Sequence, residues 1–312
     1  LDLPDGMQVG ETWELVDRED ANSIVVTADW AGPFAGRRLD ELMASHREDL
    51  LGRVRATPGG RFPLLVKYID AAAHLSVQVH PDDVRAEGRD GWEAKTEAWL
   101  ILGATDGGLI YHGFAEGVDH AGFAEACHTG EALDHLLRSH APRRGECYFV
   151  PGGTVHAIGA GVTLIEVQQN SDTTFRVNDW GRVGLDGLPR ELHVEAALEC
   201  LDFGPSPEPV LPPADLARAP HELAACPAFR MGSVVVEPGA PLVGDTRNPL
   251  DPAALGEPVV LAAVRGAGRL VTEAGTLELT TGDVWLLPAA LGAYRVEASG
   301  GTLGLVDMRG PA

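Results

Sequence analysis

The chain has 312 residues, of which 45% are hydrophobic, enough for one large or two ordinary domains and too apolar for global disorder. A formal net charge of −22 argues against nucleic acid or an anionic membrane as a partner, and no apolar run is long enough to span a bilayer. The four cysteines form no CxxC pair and residues 1–5 do not resemble a secretory signal, so we expect a cytoplasmic protein. An anionic substrate would need a local basic cluster, and only two of the 24 basic residues are lysines, Lys67 and Lys95.

Most of the chain consists of short apolar runs interrupted by Gly and Pro, a pattern typical of β-strands. In chain order the runs are 64–68, 75–79, 99–102, 148–150, 162–167, 259–264 and 284–287. An apolar period near 3.6 predicts helices within 39–51, 120–140 and 191–201, and residues 204–220 are rich in Pro and Ala, as linkers are. We therefore predict a catalytic domain at 1–205 with a helical insertion near 115–142, a linker at 206–225, and a smaller β domain at 226–312.

Residues 145–151 and 282–288 share one pattern: Gly, an acidic residue, four mostly apolar residues and Pro. His156 follows the first segment by five residues, and Ala293 follows the second by five. If both segments belong to domains of the same fold, only the first domain retains the histidine, which predicts one metal site per chain. The alternative is that the pattern is a common turn.

Four side chains form the candidate metal site. Residues two apart on a strand point to the same face, so Gln78 and His80 project together, although such a pair alone is usually only hydrogen-bonded. Glu97 opens an apolar strand, where a carboxylate must bind a cation or be paired, and Lys95 on the same face is the alternative partner. Two glycines at 152 and 153 allow a tight turn that delivers His156 to the next strand.

These ligands are nitrogen and oxygen donors without a thiolate. Such a set suits zinc, with Mn, Fe or Co as substitutes, in a site open to water or substrate.

The combination is similar to the two-part cupin signature, with Gln78 in the place of the usual first histidine and an insertion at 81–96. With the motifs Q-V-H-P, K-T-E-x-W and P-G-G-T-V-H, the chain resembles the type I mannose-6-phosphate isomerase family, in its short bacterial branch. The similarity runs from about residue 9 to 201 and continues weakly through the second β domain. It implies a mainly β fold with two jelly-roll (cupin-like) β-barrel domains and a few helical insertions.

The resemblance also implies a function. Family members interconvert mannose 6-phosphate and fructose 6-phosphate through a cis-enediol, so it implies a small sugar phosphate as partner and a monomer or homodimer. It assigns one zinc ion to Gln78, His80, Glu97 and His156, and catalysis to Arg176. It also places Lys95 beside the metal, and Ser76 and Arg182 near the substrate phosphate or its path.

The reaction requires a base, a stabiliser for the enediolate and a grip on the phosphate. Arg176 stays charged, which makes it a stabiliser rather than a base, and Lys95 could polarise an oxygen or shuttle a proton. Glu166, on the strand at 162–167, is the candidate base, because burial can raise a carboxyl pKa toward neutrality. Equally, Glu166 could orient a ligand histidine.

Three other functions compete with this one: a cupin dioxygenase, a non-catalytic sugar-binding or regulatory cupin, and an isomerase of another sugar. Gln78 in place of a histidine and the K-T-E motif argue against a dioxygenase. The chain has no basic stripe that would support a DNA-binding regulator.

Overall fold

The structure is a computed structural model that describes residues 9–26, 29–184, 187–210, 221–247 and 256–311. Its helices are α1 (Leu39–Ser45), α2 (Arg47–Leu51), α3 (Asp83–Ala86), α4 (His120–Thr129) and α5 (Val194–Cys200), with short 3₁₀ segments at Asp29–Phe34 and Asp134–Leu136. The strands in the first two sheets are β1 (Glu11–Leu15), β2 (Leu64–Ala71), β3 (Val77–Val79), β4 (Glu97–Ala104), β5 (Ile110–Phe114), β6 (Leu137–His140), β7 (Cys147–Val150), β8 (His156–Ile158), β9 (Val162–Gln169) and β10 (Phe175–Asn178). The remaining strands are β11 (His221–Ala225), β12 (Arg230–Val236), β13 (Leu242–Asp245), β14 (Val259–Arg265), β15 (Ala267–Thr272), β16 (Gly275–Thr280), β17 (Val284–Leu287), β18 (Ala293–Ala298) and β19 (Leu303–Arg309).

The strands form four antiparallel sheets, none of them closed within the described residues. Their orders are β1-β2-β9-β4-β7, β10-β3-β8-β5-β6, β11-β12-β19-β14-β17 and β13-β18-β15-β16. The prediction of a mainly β fold is confirmed, and each of the seven predicted strand segments overlaps a strand. The more specific prediction, two jelly-roll β-barrels, stays a prediction.

Two of the predicted helical segments are divided or cut short. The segment 39–51 contains two helices, because His46 between them leaves helical geometry at φ −138° and ψ 31°. The segment 120–140 is helical only as far as Thr129, where Gly130 adopts a left-handed φ of 72° and its N–H caps the carbonyls of Ala126 and Cys127. The chain then turns into β6, so the apolar period there continues past the helix itself.

The chain divides into two compact units, one of residues 1–12 and 67–211 and the other of residues 13–66 and 212–312. The predicted boundary at 206–225 stays a prediction, and its part at 211–220 lies outside the described residues, as do residues 1–5. Val210, at the last described position before that gap, pairs with Cys147 by two backbone hydrogen bonds of 2.8 Å. No helix in the described part of the chain is long and apolar enough to cross a membrane.

The internal repeat corresponds to equivalent places in the sheets. β7 and β17 are edge strands of the first and third sheets, whose orders match strand for strand. β8 begins at His156 and β18 begins at Ala293. Each is the next strand after its edge strand, and each lies in the other sheet of its half. The shared order supports the hypothesis of a repeated fold in which the second copy lacks the histidine.

Inside the first unit, alternate residues on the strands face two different cores. Val77 and Val79 pack on one side with helices α4 and α5, in a cluster that includes Phe123 and Ala197. On the other side, Trp99 and Tyr148 belong to the apolar layer between the sheets. Gln78 lies between Val77 and Val79 and therefore faces the same side as the Trp99 layer.

Candidate metal centre

Three strands bring the candidate ligands together. Gln78 on β3 pairs directly with His156 on β8, and His80 follows β3 by one residue. Glu97 opens β4, between Val150 of β7 and Gln168 of β9. His80, Glu97 and His156 converge so that one donor atom of each lies within 4.8 Å of the others.

The distances between these donors fit a metal polyhedron. The His80 Nε2 lies 3.6 Å from the Glu97 Oε2, and the His156 Nε2 lies 3.4 Å from the Glu97 Oε1. Two ligands bound at zinc–nitrogen and zinc–oxygen lengths to a tetrahedral ion are about 3.3 Å apart. All three side chains are about 99% buried.

The hydrogen bonds of the two histidines leave lone pairs directed inward. The His80 Nδ1 donates to the Thr173 carbonyl at 2.8 Å, and the His156 Nδ1 donates to the Thr154 carbonyl at 2.9 Å. In the neutral imidazole the Nε2 is then an acceptor that faces the carboxylate, which is also an acceptor. Neither the His80 Nε2 nor either Glu97 oxygen has a hydrogen-bond partner among the described residues, an arrangement that a cation would satisfy.

The charge states favour ligation as well. Burial lowers the pKa of His80 well below its ordinary value and lowers that of His156 to about 4, so both rings are neutral at working pH. Burial raises the pKa of the Glu97 carboxyl, and the positive charge of Lys95, whose Nζ lies 3.5 Å from the Glu97 Oε2, opposes that rise. Burial disfavours the Lys95 ammonium, but Glu97, Glu166 and Asp172 outweigh it and raise the Lys95 pKa. The geometry is therefore compatible with both an ion pair to Lys95 and a metal-ligand role for Glu97.

Gln78 lies at the edge of the site. Its Nε2 is 3.3 Å from the His156 Nε2, and its Oε1 accepts a 3.0 Å hydrogen bond from the buried Ser76 hydroxyl. Rotating the amide by 180° would direct the oxygen toward the ion and leave the Ser76 oxygen as acceptor for the amide N–H. In that rotamer the Gln78 oxygen would be a fourth candidate ligand, with Ser76 behind it.

The glycine turn before His156 joins the ligand segments. The Gly153 N–H donates to the His80 carbonyl at 2.8 Å, and the Gly152 N–H donates to the Thr96 Oγ1 at 3.1 Å. A Cβ on Gly152 would lie 2.6 Å from the Asp82 Cα, closer than real Cβ contacts come. Gly153 has a φ of 93°, which other residues rarely adopt.

Glu166 faces the same interior beside the site. It pairs with Trp99 across β4 and β9, and the Trp99 indole N–H donates to its Oε2 at 2.9 Å. Its Oε1 lies 3.9 Å from the buried Lys67 Nζ, which lies equally far from Glu11. Burial, followed by the charge of Glu97, raises the pKa of Glu166 to about 7.

Arg176 lies in register with two of the candidate ligands across three neighbouring strands. It lies on β10 opposite Gln78, which itself lies opposite His156. Its Nη1 donates to the Glu191 carbonyl at 2.8 Å, and its buried Nε has no hydrogen-bond partner within the described ranges. The His193 Nδ1 accepts the backbone N–H of Arg176 at 3.3 Å.

Arg182 lies farther along the same segment. Its Nη2 donates to the Oδ1 of the buried Asp179 at 2.7 Å. Asp179 also accepts hydrogen bonds from Arg190, including one of 2.7 Å from the Arg190 Nε. Lys67, Asp179 and Arg190 carry no motif that predicts a functional role, and only the rarity of lysine in the sequence singles out Lys67.

A family model for phosphomannose isomerase type I, catalytic domain, matches residues 4–97. The mannose-6-phosphate isomerase ManA of Bacillus subtilis (strain 168) is 32% identical over 300 residues, covering 93% of this chain and 87% of that protein. The mannose-6-phosphate isomerase of Streptococcus mutans is also 32% identical, over 92% of this chain and 85% of its own length. This chain belongs to the type I phosphomannose isomerase family.

The solved structures agree with this family membership. The crystal structure of the mannose 6-phosphate isomerase from Bacillus subtilis superposes with a TM-score of 0.75 at 27% identity, covering 96% of this chain and 89% of that one. The family resemblance predicted from the three motifs is thereby confirmed. The individual site residues stay predictions, which the geometry above makes specific.

Proposed function

We propose that this chain is a metal-dependent aldose–ketose isomerase that interconverts mannose 6-phosphate and fructose 6-phosphate through a cis-enediol intermediate. The observation that carries the proposal is the set of inward-facing acceptors on His80, Glu97 and His156, which lies beside a buried Glu166. The relatives described above bear the isomerase name, and this favours an isomerase over a dioxygenase or a non-catalytic cupin.

We further propose that the ion is a single zinc, held by His80, Glu97 and His156 with Gln78 as the fourth protein ligand. When bound, such an ion supplies positive charge to the substrate oxygens. The second unit presents Ala293 in place of His156, which is why we expect one ion per chain.

Glu166 is the proposed base. In the aldose-to-ketose direction its carboxylate takes the proton from C2 and returns it to C1. With a pKa of about 7, the carboxyl can both accept and release a proton near neutral pH. The Trp99 indole orients the carboxylate, and the Lys67 ammonium lies on its other oxygen.

Lys95 and Arg176 serve the oxygen atoms of the substrate. Lys95 is buried at the ligand Glu97 and is placed to carry the proton that leaves the C2 hydroxyl and arrives at O1. Arg176 contributes a permanent positive charge toward the enediolate from the strand next to Gln78. Ser76 and Arg182 belong to the phosphate side in this proposal.

The proposal extends to the fold of each half, the oligomeric state, the location and the partners of the protein. Each half of the chain is expected to be a jelly-roll domain of the cupin type, the protein a monomer or homodimer, and its location the cytoplasm. The substrate is a small sugar phosphate, and no nucleic acid or membrane partner is expected at a net charge of −22.

The test combines metal analysis of the purified protein with a coupled isomerase assay on mannose 6-phosphate and on free mannose. We expect about one equivalent of zinc, turnover of the phosphorylated sugar, loss of turnover after chelation and recovery with zinc. Full activity in metal-free protein would refute the proposal, and oxygen consumption would point to the dioxygenase instead.

A further inference from the structure

Two arginines bind one buried carboxylate in the first unit, and a third arginine lies near them. The Arg182 Nη2 and Nε donate to the Asp179 Oδ1 at 2.7 and 3.3 Å. The Arg190 Nε donates to the Asp179 Oδ2 at 2.7 Å, and its Nη2 donates to the Oδ1. Arg176 lies close enough for the charges of Arg190 and Arg182 to act on its guanidinium group.

Arg190, rather than Arg182, shares an open cleft with Arg176. The cleft has a volume of about 670 Å³, and its lining among the described residues includes Arg176, Arg190, Glu191 and His193. Arg176, which lines the cleft, lies opposite Gln78, so the cleft begins one strand away from the candidate metal centre. A sugar bound at the metal could extend its far end into this space.

The electrostatics of the cluster are unbalanced. Arg176 and Arg190 both line the cleft, so two like charges face one space. Burial, followed by the charge of Arg190, lowers the pKa of Arg176, and Asp179 opposes that change. Asp179 offsets only one of the three positive charges, and the exposed Glu191 carboxylate lies at the cleft. In a chain with a net charge of −22, this local positive excess is the kind of site that an anion would stabilise.

The hydrogen bonds also fix the direction of the Arg190 fork. The Arg190 Nε and Nη2 both donate to Asp179, which fixes the orientation of the guanidinium plane. The N–H groups of the Nη1 then remain to donate to a ligand. Trp180, the next residue, has a φ of 56°, and its indole N–H is anchored on the Leu75 carbonyl at 2.7 Å. That anchor ties the Asp179 segment to the residue before Ser76.

We propose that Arg190 is a ligand for the phosphate of the substrate and that Asp179 is the positioning residue that orients it. The ligand class is a phosphate monoester dianion, whose negative charge complements the net positive charge of the cluster and whose oxygens match the guanidinium fork. An unphosphorylated sugar would leave the repulsion between Arg176 and Arg190 in place. This inference rests on the proposed function, because it takes mannose 6-phosphate as the substrate.

The test compares Arg190→Gln with Arg138→Gln as a matched control. Arg138 lies in the same unit, is 37% exposed against 38% for Arg190, and pairs with the Glu208 carboxylate at 2.6 Å away from the cleft. We expect Arg190→Gln to raise the KM for mannose 6-phosphate about tenfold or more, and by more than kcat falls, because a charge-assisted hydrogen bond is lost. The control should keep the wild-type KM.

Binding experiments separate this inference from the proposed function. By calorimetry, Arg190→Gln should weaken the binding of fructose 6-phosphate and of inorganic phosphate to a similar degree. Arg190→Lys should recover part of the lost affinity. Asp179→Asn should raise KM less than Arg190→Gln does, since the arginine remains but loses its charged partner. If wild-type protein fails to turn over mannose 6-phosphate, the proposed function is wrong; if Arg190→Gln and Arg190→Lys bind both phosphates as wild type does, the Arg190 inference is wrong even in an active isomerase.

Discussion

At the scale of single residues, the strand alternation in the sequence was enough to place Gln78 and His80 on one face. It could not show that His156 would lie directly opposite Gln78, because that pairing joins positions 78 residues apart through the register of β3 and β8. The contact between Glu166 and Trp99 depends in the same way on the register of β4 and β9. Register comes from packing of the whole sheet, so the neighbours of Glu166, including Lys67, could not be predicted from local pattern.

The hydrogen bond from Trp99 gives a prediction about pH. A carboxylate base is active only when it is deprotonated, so activity should fall as pH drops through the Glu166 pKa, which is about 7 without an ion and lower with one. Trp99→Phe removes the donor to the Oε2, which disfavours the charged form and should move this acid limb upward by roughly one pH unit. The measurement is the pH profile of kcat/KM.

Tyr148→Phe is the control for that profile. Tyr148 is a fully buried aromatic residue of the same apolar layer, and its hydroxyl donates to Glu146 instead of Glu166. A similar shift in both variants would mean that loose packing moves the limb and would remove the orienting role of Trp99. No acid limb in wild type would favour the alternative in which Glu166 orients a ligand.

Arg176 is expected to act on turnover rather than on metal binding. Arg176→Ala should retain the ion, because the truncated side chain donates its hydrogen bond to the Glu191 carbonyl and the strand pairing with Gln78 is between backbones. It should lower kcat by about 100-fold or more. Zinc content and kcat measured on the same sample distinguish an effect on turnover from an effect on metal binding. Loss of zinc in proportion to activity would make Arg176 structural.

At the scale of elements, the turn at residues 151–154 joins the segments that carry the candidate ligands. It bonds to the segments of His80 and Glu97 and then leads into His156. The sequence predicted a glycine turn, and the structure adds the reason for the first glycine, which is its approach to the backbone of Pro81 and Asp82.

Gly152→Ala should therefore weaken metal binding, although Gly152 is not itself a candidate ligand. The added methyl group meets backbone atoms at 2.6–2.7 Å, so one of the two turns must move. We expect zinc affinity to fall about tenfold or more, by analogy with the loss of supporting contacts around other metal sites. Competition with a chromogenic chelator measures the affinity.

Gly130→Ala is a comparison variant with a different outcome. Gly130 has a φ of 72° and ends α4, and nothing lies within 4 Å of an added Cβ. It should lower thermal stability through backbone strain and leave zinc affinity unchanged. Equal affinities for wild type and Gly152→Ala would show that the turn does not position the ligands.

At the scale of the whole molecule, the sequence was sufficient for the mainly β class and for the family, since strand runs and ligand motifs are local. The grouping of residues 13–66 with 212–312 had no local signal, because it depends on contacts between distant segments. Local pattern can also mislead. The apolar period predicted a helix as far as residue 140, but the helix ends before Gly130 and the period continues into strand β6.

Removal of the ion should be visible in global stability. A ligand that binds only the folded state adds about 4 kcal/mol when present at 1,000 times its Kd. Without the ion, the buried Glu97 carboxylate would keep only the nearby lysine charge of Lys95 to compensate it. We expect chelation to lower Tm by about 5 °C or more, with recovery on adding zinc. Glu97→Gln is the control, and a Tm shift of wild-type size in that variant would show that chelation acts elsewhere.

The spacing of the ligands has a consequence for how the protein assembles. His80, Glu97 and His156 come from separate strands whose neighbours in the sheets are distant in sequence, so no short peptide of this chain carries the site. A refolding chain can therefore capture zinc tightly only after β3 has found β8 and β4 has found β9, which are slow long-range events. The time at which refolding protein binds zinc, followed with a fluorescent zinc indicator, would then report when these strands pair in the first unit.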